Sequence, residues 1–507
     1  MDERKVYLVG AGPGNPSLIT VKGVTCLSQA DVIIYDRLVN KRLLAYARPN
    51  CELIARDEHA KDQDKINHLM VERARAGQTV VRLKGGDPFL FGRGGEEAEF
   101  LANAGISFEV VPGVISALAA PAYAGIPLTH RRFSSAVGIV TGHEVPDKPG
   151  SAVNWEALSR AVDTLVVLMG MRNLPAIVER LLRAGKSQET PVALVSLGTL
   201  PTQKTLVSSL GRVVEEAKAR GLQPPAVIVI GEVVRLQELL AWVEAKPLFG
   251  RRILVAGEAT RLTPLADLLG EEGAQVWEAP VIRIAPNGDT AALDRAIGKL
   301  RSYDWLIFTS SNAALHFWAR LRALNCDSRI LGGVRLAAIG PATAAALAQR
   351  GLIADLIPER YCTEGLVEAF ATLDLSGTRV LLARSDLANP LLPQRLSAMG
   401  ALVEETVLYR TVPAAVASER QADIGGLLRR MEADLVVFTS SSAVHCFADL
   451  FAEPDLQAAL RTVPIACLGP ETAATARRLG LSVQMVPEKY TLKGLVQAIV
   501  LHWGKEK

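Results

Sequence analysis

Glycine-rich turns that each follow a short apolar run dominate the first half of the chain. Val6 to Val9 leads into Gly10-Ala11-Gly12-Pro13-Gly14-Asn15-Pro16, and the next run closes with Tyr35-Asp36. Taken alone, this pair mimics a dinucleotide site, with glycines for the pyrophosphate and an acid for the ribose. The third glycine of that pattern is replaced by Asn15-Pro16, which argues against a nicotinamide or flavin enzyme. Val80-Val81-Arg82-Leu83-Lys84 then enters Gly85-Gly86-Asp87-Pro88-Phe89, followed by Phe91-Gly92-Arg93-Gly94-Gly95-Glu96-Glu97. Such a turn exposes main-chain amides and carbonyls beside one acid, which suits a neutral or cationic small ligand approached closely across glycine. Val111 to Ala117 and Ala124 to Arg131 add two more loops of the same punctuation.

The second half repeats itself. Asp304-Trp305-Leu306-Ile307-Phe308-Thr309-Ser310-Ser311 returns as Asp434-Leu435-Val436-Val437-Phe438-Thr439-Ser440-Ser441, roughly 130 residues later. Ala338 to Ala344 is echoed by Cys467 to Ala473, and Pro358 to Tyr361 by Pro487 to Tyr490. A constant offset over separated blocks means two homologous α/β units. Each block is an apolar strand, then Thr-Ser-Ser or Gly-Pro-x-Thr, then a helix. Hydroxyl residues there cap the helix, and its free amides form an anion site at the carboxyl edge of the sheet. Four such turns point to a cleft that grips several carboxylates or phosphates.

The elements that must position these loops are short Val/Ile/Leu runs alternating with helical stretches from end to end: Val6 to Val9, Val32 to Tyr35, Val80 to Leu83, Leu165 to Met169 and Val227 to Ile230. The class is α/β, with parallel sheets covered on both faces. The pattern pauses at Ala245 to Gly250 and restarts with Ile253 to Ala256, which places the main domain boundary there. At 507 residues, two to four domains are expected. With 56 basic against 53 acidic residues, attraction to polyanions is not a global property, and no basic stripe with interleaved aromatics points to nucleic acid. Six cysteines without paired spacing fit reduced thiols in a cytoplasmic protein and neither a disulfide framework nor a metal site. The first residues lack a signal-peptide core. The longest uncharged stretch, Val110 to Thr129, is interrupted by three prolines, so a buried loop and helix is expected and not a membrane anchor.

Residues 1–245 resemble the tetrapyrrole methylase family, and within it the uroporphyrinogen-III C-methyltransferases. The carriers are Gly12-Pro13-Gly14, Tyr35 to Val39, Arg82 to Glu97, Pro112-Gly113, Gly125 to Arg131, Thr141-Gly142-His143, Leu168-Met169-Gly170, Pro191 to Thr199 and Pro225 to Gly231. The resemblance implies S-adenosylmethionine between two α/β subdomains, held by Pro13, Gly85, Gly86, Asp87, Leu90, Ile115, Ser116, Met169 and Gly198. It implies Asp36 as proton acceptor, and a homodimer through this half. His130 and Arg131 are candidates for substrate carboxylates, which arginine grips through two parallel hydrogen bonds. His143 reads as a loop or core histidine. Two departures stand out. Leu53-Ile54-Ala55-Arg56-Asp57-Glu58, before His59, lacks the family's Gly-Lys-Arg element and its lysine, and Arg56 supplies charge but not a proton. Ile115 stands where threonine is common.

Residues 250–507 resemble uroporphyrinogen-III synthase, through the two Phe-Thr-Ser-Ser blocks, the Gly-Pro-x-Thr-Ala blocks and Val407-Leu408-Tyr409-Arg410-Thr411. The implied fold has an outer unit of about 250–284 plus 412–505 and an inserted unit of about 285–411. Tyr409 is the implied donor to the leaving hydroxyl of linear hydroxymethylbilane. Ser311, Thr343, Ser441 and Thr472 would orient the acetate and propionate groups. No cofactor is expected in this half, nor a histidine or cysteine constellation. The two resemblances join, because the product of the second is the substrate of the first. Another reading stays open: a methylase for a different tetrapyrrole intermediate, followed by a non-catalytic tetrapyrrole-binding module.

Overall fold

A computed structural model describes residues 5–56, 63–143, 153–416, 418–451 and 454–504. Asp57, Glu58 and His59, where the family's lysine element is missed, lie outside the described residues. The chain divides into two compact units, Met1–Gly250 and Arg251–Lys507.

The first unit holds two sheets. β1 (Val6–Gly10), β2 (Val32–Tyr35), β3 (Glu52–Ala55), β4 (Val80–Lys84) and β5 (Phe108–Val111) form a fully parallel sheet in the order β3-β2-β4-β1-β5. The period of two along each strand splits the apolar residues between the faces. Val6, Leu8, Val32 and Ile34 pack under the helix Gln63–Arg75, which turns Ile66, Met70, Val71 and Ala74 toward them. Val9, Ile33, Val81 and Leu83 pack under Val21–Gln29. The stretch Val110 to Thr129 forms the end of β5 and the helix Ser116–Tyr123, with Ala117, Ala119 and Ala120 buried.

The second sheet corrects the expectation of parallel sheets throughout. β6 (Val137–Thr141), β7 (Thr164–Leu168), β8 (Pro191–Ser196), β9 (Lys204–Ser209) and β10 (Ala226–Ile230) run in the order β6-β7-β10-β8-β9. Only β6 and β7 pair in parallel; β10 is antiparallel to both β7 and β8, and β9 is antiparallel to β8. The cause is the short loop between β8 and β9, which has no crossover helix and so permits only an antiparallel return.

The second unit is one nine-stranded sheet. Its strands are β11 (Arg252–Glu258), β12 (Gln275–Pro286), β13 (Trp305–Phe308), β14 (Arg335–Ala338), β15 (Arg379–Ser385), β16 (Leu402–Pro413), β17 (Leu435–Phe438), β18 (Ile465–Cys467) and β19 (Val483–Met485). The order is β14-β13-β15-β16-β12-β11-β17-β18-β19. The two longest strands, β12 and β16, are equivalent in the repeat and lie at the centre. Each pairs in parallel with its own lobe and then antiparallel with the other, through Ile282 to Pro286 against Pro413 to Tyr409. Two lobes therefore share one sheet through exchanged strand ends, beside the borders expected at 284 and 412. No helix among the described residues is long and apolar enough to cross a membrane.

Candidate functional sites

In the first unit, three loops converge at the carboxyl ends of β1, β4 and β5. Gly12 and Gly86 bridge through paired main-chain hydrogen bonds, Gly86 N–H to Gly12 O at 2.8 Å and its reciprocal at 3.3 Å. A Cβ on Gly113 would sit 2.2 Å from Gly86 O and 2.7 Å from Gly10 Cα, and one on Gly10 would sit 2.5 Å from Gly113 Cα. Backbones therefore touch where any side chain would separate them. A Cβ at Gly85 would meet only Leu38 Cβ, at 3.7 Å, so the surface just outside the junction is open. Asp87 is spent on the loop itself: Oδ1 accepts from the Phe89 and Leu90 amides at 2.8 and 3.1 Å, and Oδ2 accepts from Gly113 N–H at 3.0 Å.

The second sheet closes toward the same place. Asn15 N–H donates to Thr199 Oγ1 at 3.1 Å, and a Cβ on Gly198 would land 2.3 Å from Ala120 Cβ. Phe91, Arg93, Met169, Leu197 and Thr199 all have positive φ, between 51° and 72°. Each such non-glycine residue costs about 1–3 kcal/mol, and strain of this kind persists where neighbours over-determine it. Buried Gln203 supplies one such restraint, its Oε1 accepting from Thr199 N–H at 3.0 Å. The residues implied for S-adenosylmethionine fall in these loops. Pro13, Ser116 and Gly198 are half-buried, while Leu90 and Met169 are exposed. Ile115 is buried with Ala117, Val166 and Val195, and its Cα and Cγ1 would lie 3.8 Å from a Cβ on Gly86. His130 is engaged within its own turn, with Nδ1 accepting from Arg132 N–H and the ring stacked on Phe133, whereas Arg131 is exposed. His143 is exposed in a loop.

Behind this junction lies a feature the sequence did not announce. Arg82, Lys84 and Glu97 are 0–1% exposed. Residues 80, 82 and 84 share one face of β4, and Glu97 reaches that face from the helix Gly94–Asn103. Glu97 Oε1 accepts from Arg82 Nε at 3.1 Å, Lys84 Nζ at 2.9 Å and Gln63 Nε2 at 2.9 Å, and Lys84 Nζ is also 2.9 Å from Oε2. Arg82 Nη2 donates to Asp36 Oδ1 at 2.5 Å, and Arg56 Nη1 adds a contact of 3.2 Å. Asp36 is therefore the solvent-side end of a buried ionic chain. Burial pushes its carboxyl up, but Arg82, Lys84 and Arg56 together outweigh that and hold it below the ordinary value. Burial, with Arg82 beside it, lowers Lys84. The only sequence signal was two basic residues inside an otherwise apolar strand.

In the second unit, Ser310 and Ser440 are the N-caps of Ser311–Ala323 and Ser441–Leu450, accepting from Ala313 and Ala443 amides at 3.0 and 3.3 Å. Ser311 and Ser441 follow them, half-buried. Thr343 and Thr472 are 3% and 6% exposed, each in the first turn of the helix that follows its Gly-Pro turn. Tyr409 stands where β16 leaves β15 for β12, opposite both Ser385 and Pro286. Its hydroxyl lies 2.9 Å from Ser310 Oγ. The His316 ring stacks on Tyr409, with centroids 5.5 Å apart and planes 24° from parallel. Glu258, at the end of β11, accepts from Asn312 Nδ2 at 3.2 Å. His316 lies six residues beyond Ser310, a spacing without meaning until the helix and β16 are packed together.

Comparison with known proteins matches each unit separately. Residues 5–214 match the model of the tetrapyrrole (corrin/porphyrin) methylases, and residues 263–497 that of uroporphyrinogen-III synthase HemD. The chain is 34% identical over 504 residues to the porphyrin biosynthesis protein HemD of Ruminiclostridium josui, covering 99% of this chain and 98% of that one. It is 51% identical over 234 residues to the uroporphyrinogen-III C-methyltransferase of Priestia megaterium, covering 45% of this chain and 98% of that one. Over 356 residues it is 40% identical to the uroporphyrinogen-III C-methyltransferase of Bacillus subtilis, covering 69% of this chain and 73% of that one. With a full-length relative and a family model on each unit, the chain belongs to the porphyrin-biosynthesis family in which a tetrapyrrole methylase is followed by a uroporphyrinogen-III synthase.

Proposed function

We propose that the second unit closes hydroxymethylbilane to uroporphyrinogen III, inverting its last pyrrole ring, and that the first unit methylates that product twice to precorrin-2. The observation that carries this is the pairing of the two family matches on one chain, since the product of one activity is the substrate of the other. Residence on one chain raises the effective concentration of an easily oxidised macrocycle near the next site.

The first unit fits S-adenosylmethionine, because the glycine junction admits a ligand to main-chain contact and exposed Leu90 and Met169 flank it with apolar surface. Pro13, Gly85, Gly86, Ile115, Ser116 and Gly198 would hold it, with Asp87 keeping the loop in shape. When bound, this cofactor supplies an electrophilic methyl on a sulfonium centre. The chain must then hold an electron-rich pyrrole carbon in line and remove a proton from the macrocyclic cation that methylation leaves. Asp36, its carboxyl lowered by Arg82, Lys84 and Arg56, takes it; a weak base suffices because a methylated pyrrole cation is a strong acid. Arg131, exposed beside this unit's second sheet, is available to substrate carboxylates.

In the second unit, Tyr409 donates a proton to the leaving hydroxyl, while Ser311, Ser441 and the adjacent helix amides orient the carboxylates. Tyr409→Phe removes that proton and the bond to Ser310 but keeps the ring. The rate of type III product is expected to fall about 100-fold, with KM little changed. A rate within threefold of the parent would remove Tyr409 from the donor role.

The function itself is tested on the full chain under anaerobic conditions, with hydroxymethylbilane and labelled S-adenosylmethionine. A dimethylated type III product is expected. Unmethylated type III product would leave the synthase and remove the methylase, and the type I isomer alone would remove the synthase.

A further inference from the structure

The repeat supplies its own control for the second unit. Position by position, Tyr409, Ser310, His316, Asn312 and Glu258 correspond to Ile282, Ser440, Cys446, Ser442 and Ser385. The scaffold is duplicated: both long strands exchange lobes, both neighbours carry a bulge at the exchange, and both helices open on a serine cap. The chemistry is not duplicated. One copy gathers a phenol, an imidazole and a carboxylate, and the other has an isoleucine, a thiol and a hydroxyl. Folding demands the scaffold in both copies and does not demand the titratable set in one.

We propose that His316 is the proton acceptor of macrocycle closure, acting beside Tyr409 as donor. The proposal deepens the synthase reading and rests on it. In the net reaction a C–O, a C–C and a C–H bond break while two C–C bonds and an O–H bond of water form, the exchanged C–C bond being the one that inverts the last ring. The hydroxyl leaves as water with a proton from Tyr409, its departure driven by the pyrrole nitrogen lone pair. The C–C bond that closes the macrocycle takes its electrons from the terminal pyrrole. That ring regains aromaticity only when its α-carbon loses a proton, and the C–H pair returns to the ring. His316 takes that proton. Imidazolium and phenolate then return to their starting states by proton exchange with solvent, one losing and the other gaining a proton, so the pair ends each turnover unchanged.

The surroundings keep His316 able to accept. Burial lowers its pKa, with Glu258 opposing. Of the elements packed against its helix, β16 presents Tyr409, and β13 and the helix Pro341–Ala348 contain no titratable side chain. On β15, Arg384 is engaged by Glu405. Arg320, one turn along from His316, is turned to Asp294 of Ala291–Gly298, with contacts of 2.5 and 2.6 Å. Arg410 of β16 donates through Nε to Asn287 Oδ1 at 3.3 Å, and among the described residues Glu258 is the charge that raises the imidazole.

The test uses the full chain and hydroxymethylbilane, with type III product followed from pH 5 to 8. For the parent chain, kcat/KM is expected to fall on the acid side with a one-proton limb below the ordinary histidine value of about 6.5. His316→Gln removes the base, and His316→Phe keeps the stacked ring without it. Both are expected to lose about 100-fold in kcat and to flatten the acid limb. A Phe variant within threefold of the parent would show that the ring only packs against Tyr409 and would overturn the proposal. Glu258→Gln tests it without touching His316: removing the carboxylate is expected to move the acid limb to lower pH, and an unmoved limb counts against it. A parent chain that releases only the type I isomer overturns the synthase reading and the proposal together, an outcome distinct from loss confined to the variants.

Discussion

Gly113→Ala is expected to reduce methyl transfer at least about 100-fold while leaving formation of type III product by the second unit unchanged. The residue is not in a left-handed conformation, so the substitution is a matter of space. The new Cβ would meet Gly86 O at 2.2 Å and Gly10 Cα at 2.7 Å, all backbone that cannot rotate away. Relief requires the ends of β1, β4 and β5 to part, which breaks the Gly12 to Gly86 bridge and releases the Asp87 bond to Gly113 N–H. Overpacking of this kind typically destabilises by about 1–3 kcal/mol. The activity loss exceeds that because displacement of a reacting group by even an ångström is enough to lose orders of magnitude. Gly95→Ala is the matched control. Its Cβ would meet nothing within 4 Å and it sits inside a helix, so a gain of about 0.5–1 kcal/mol is expected. Label transfer and thermal melting of both variants decide the matter; equal methylation by Gly113→Ala and the parent would show that the junction is not the cofactor floor.

Glu97→Gln is expected to be the most destabilising single change in the first unit. Glu97 alone faces both Arg82 and Lys84 within 3.1 Å, all three at 0–1% exposure, so its neutralisation strands buried positive charge with only Asp36 to oppose it. Breaking a buried pair from one side typically costs about 3–5 kcal/mol. In a unit of this size that corresponds to a melting shift of roughly 6–20 °C. Glu96→Gln, one residue earlier, breaks an exposed pair with Arg93, whose side chains are 56% and 52% accessible, and should change stability by less than about 1 kcal/mol. A similar shift for both variants would contradict the buried network. The network also carries a pH dependence. The Asp36 carboxyl is lowered in the folded chain, so its contribution is full above the unfolded value of about 3.9 and is lost as pH falls through the lower, folded value. Asp36→Asn should therefore flatten that part of the acid unfolding curve while leaving stability above pH 6 reduced by a constant amount.

Much of the architecture was legible because it depends on local pattern. Strand and helix alternation marks α/β class through side-chain periodicity, and the duplicated Phe-Thr-Ser-Ser blocks mark two related lobes because a repeated chain refolds into a repeated unit. The glycine loops were legible for a similar reason. A position such as Gly86, with a φ of 70° and backbone packed around it, tolerates little else, so the residue type itself reports the geometry.

Strand direction in the second sheet was not legible, since β8 and β10 have the same apolar composition whichever way they pair, and direction follows from loop length and closure of the sheet. Nor was the burial of Thr343 and Thr472, since a hydroxyl in the first turn of a helix gives no local sign of how far neighbouring elements cover it. Which strands form, which turns must be glycine and which half repeats can be read along the chain, because these follow from backbone conformation and near neighbours. Packing in three dimensions is what joins Glu97 to Arg82 across 15 residues, makes Asp36 the end of a buried ionic chain and sets His316 against Tyr409 across 93. Side-chain charge and ring contacts between distant segments depend on where strands and helices cross, and no local pattern encodes that crossing.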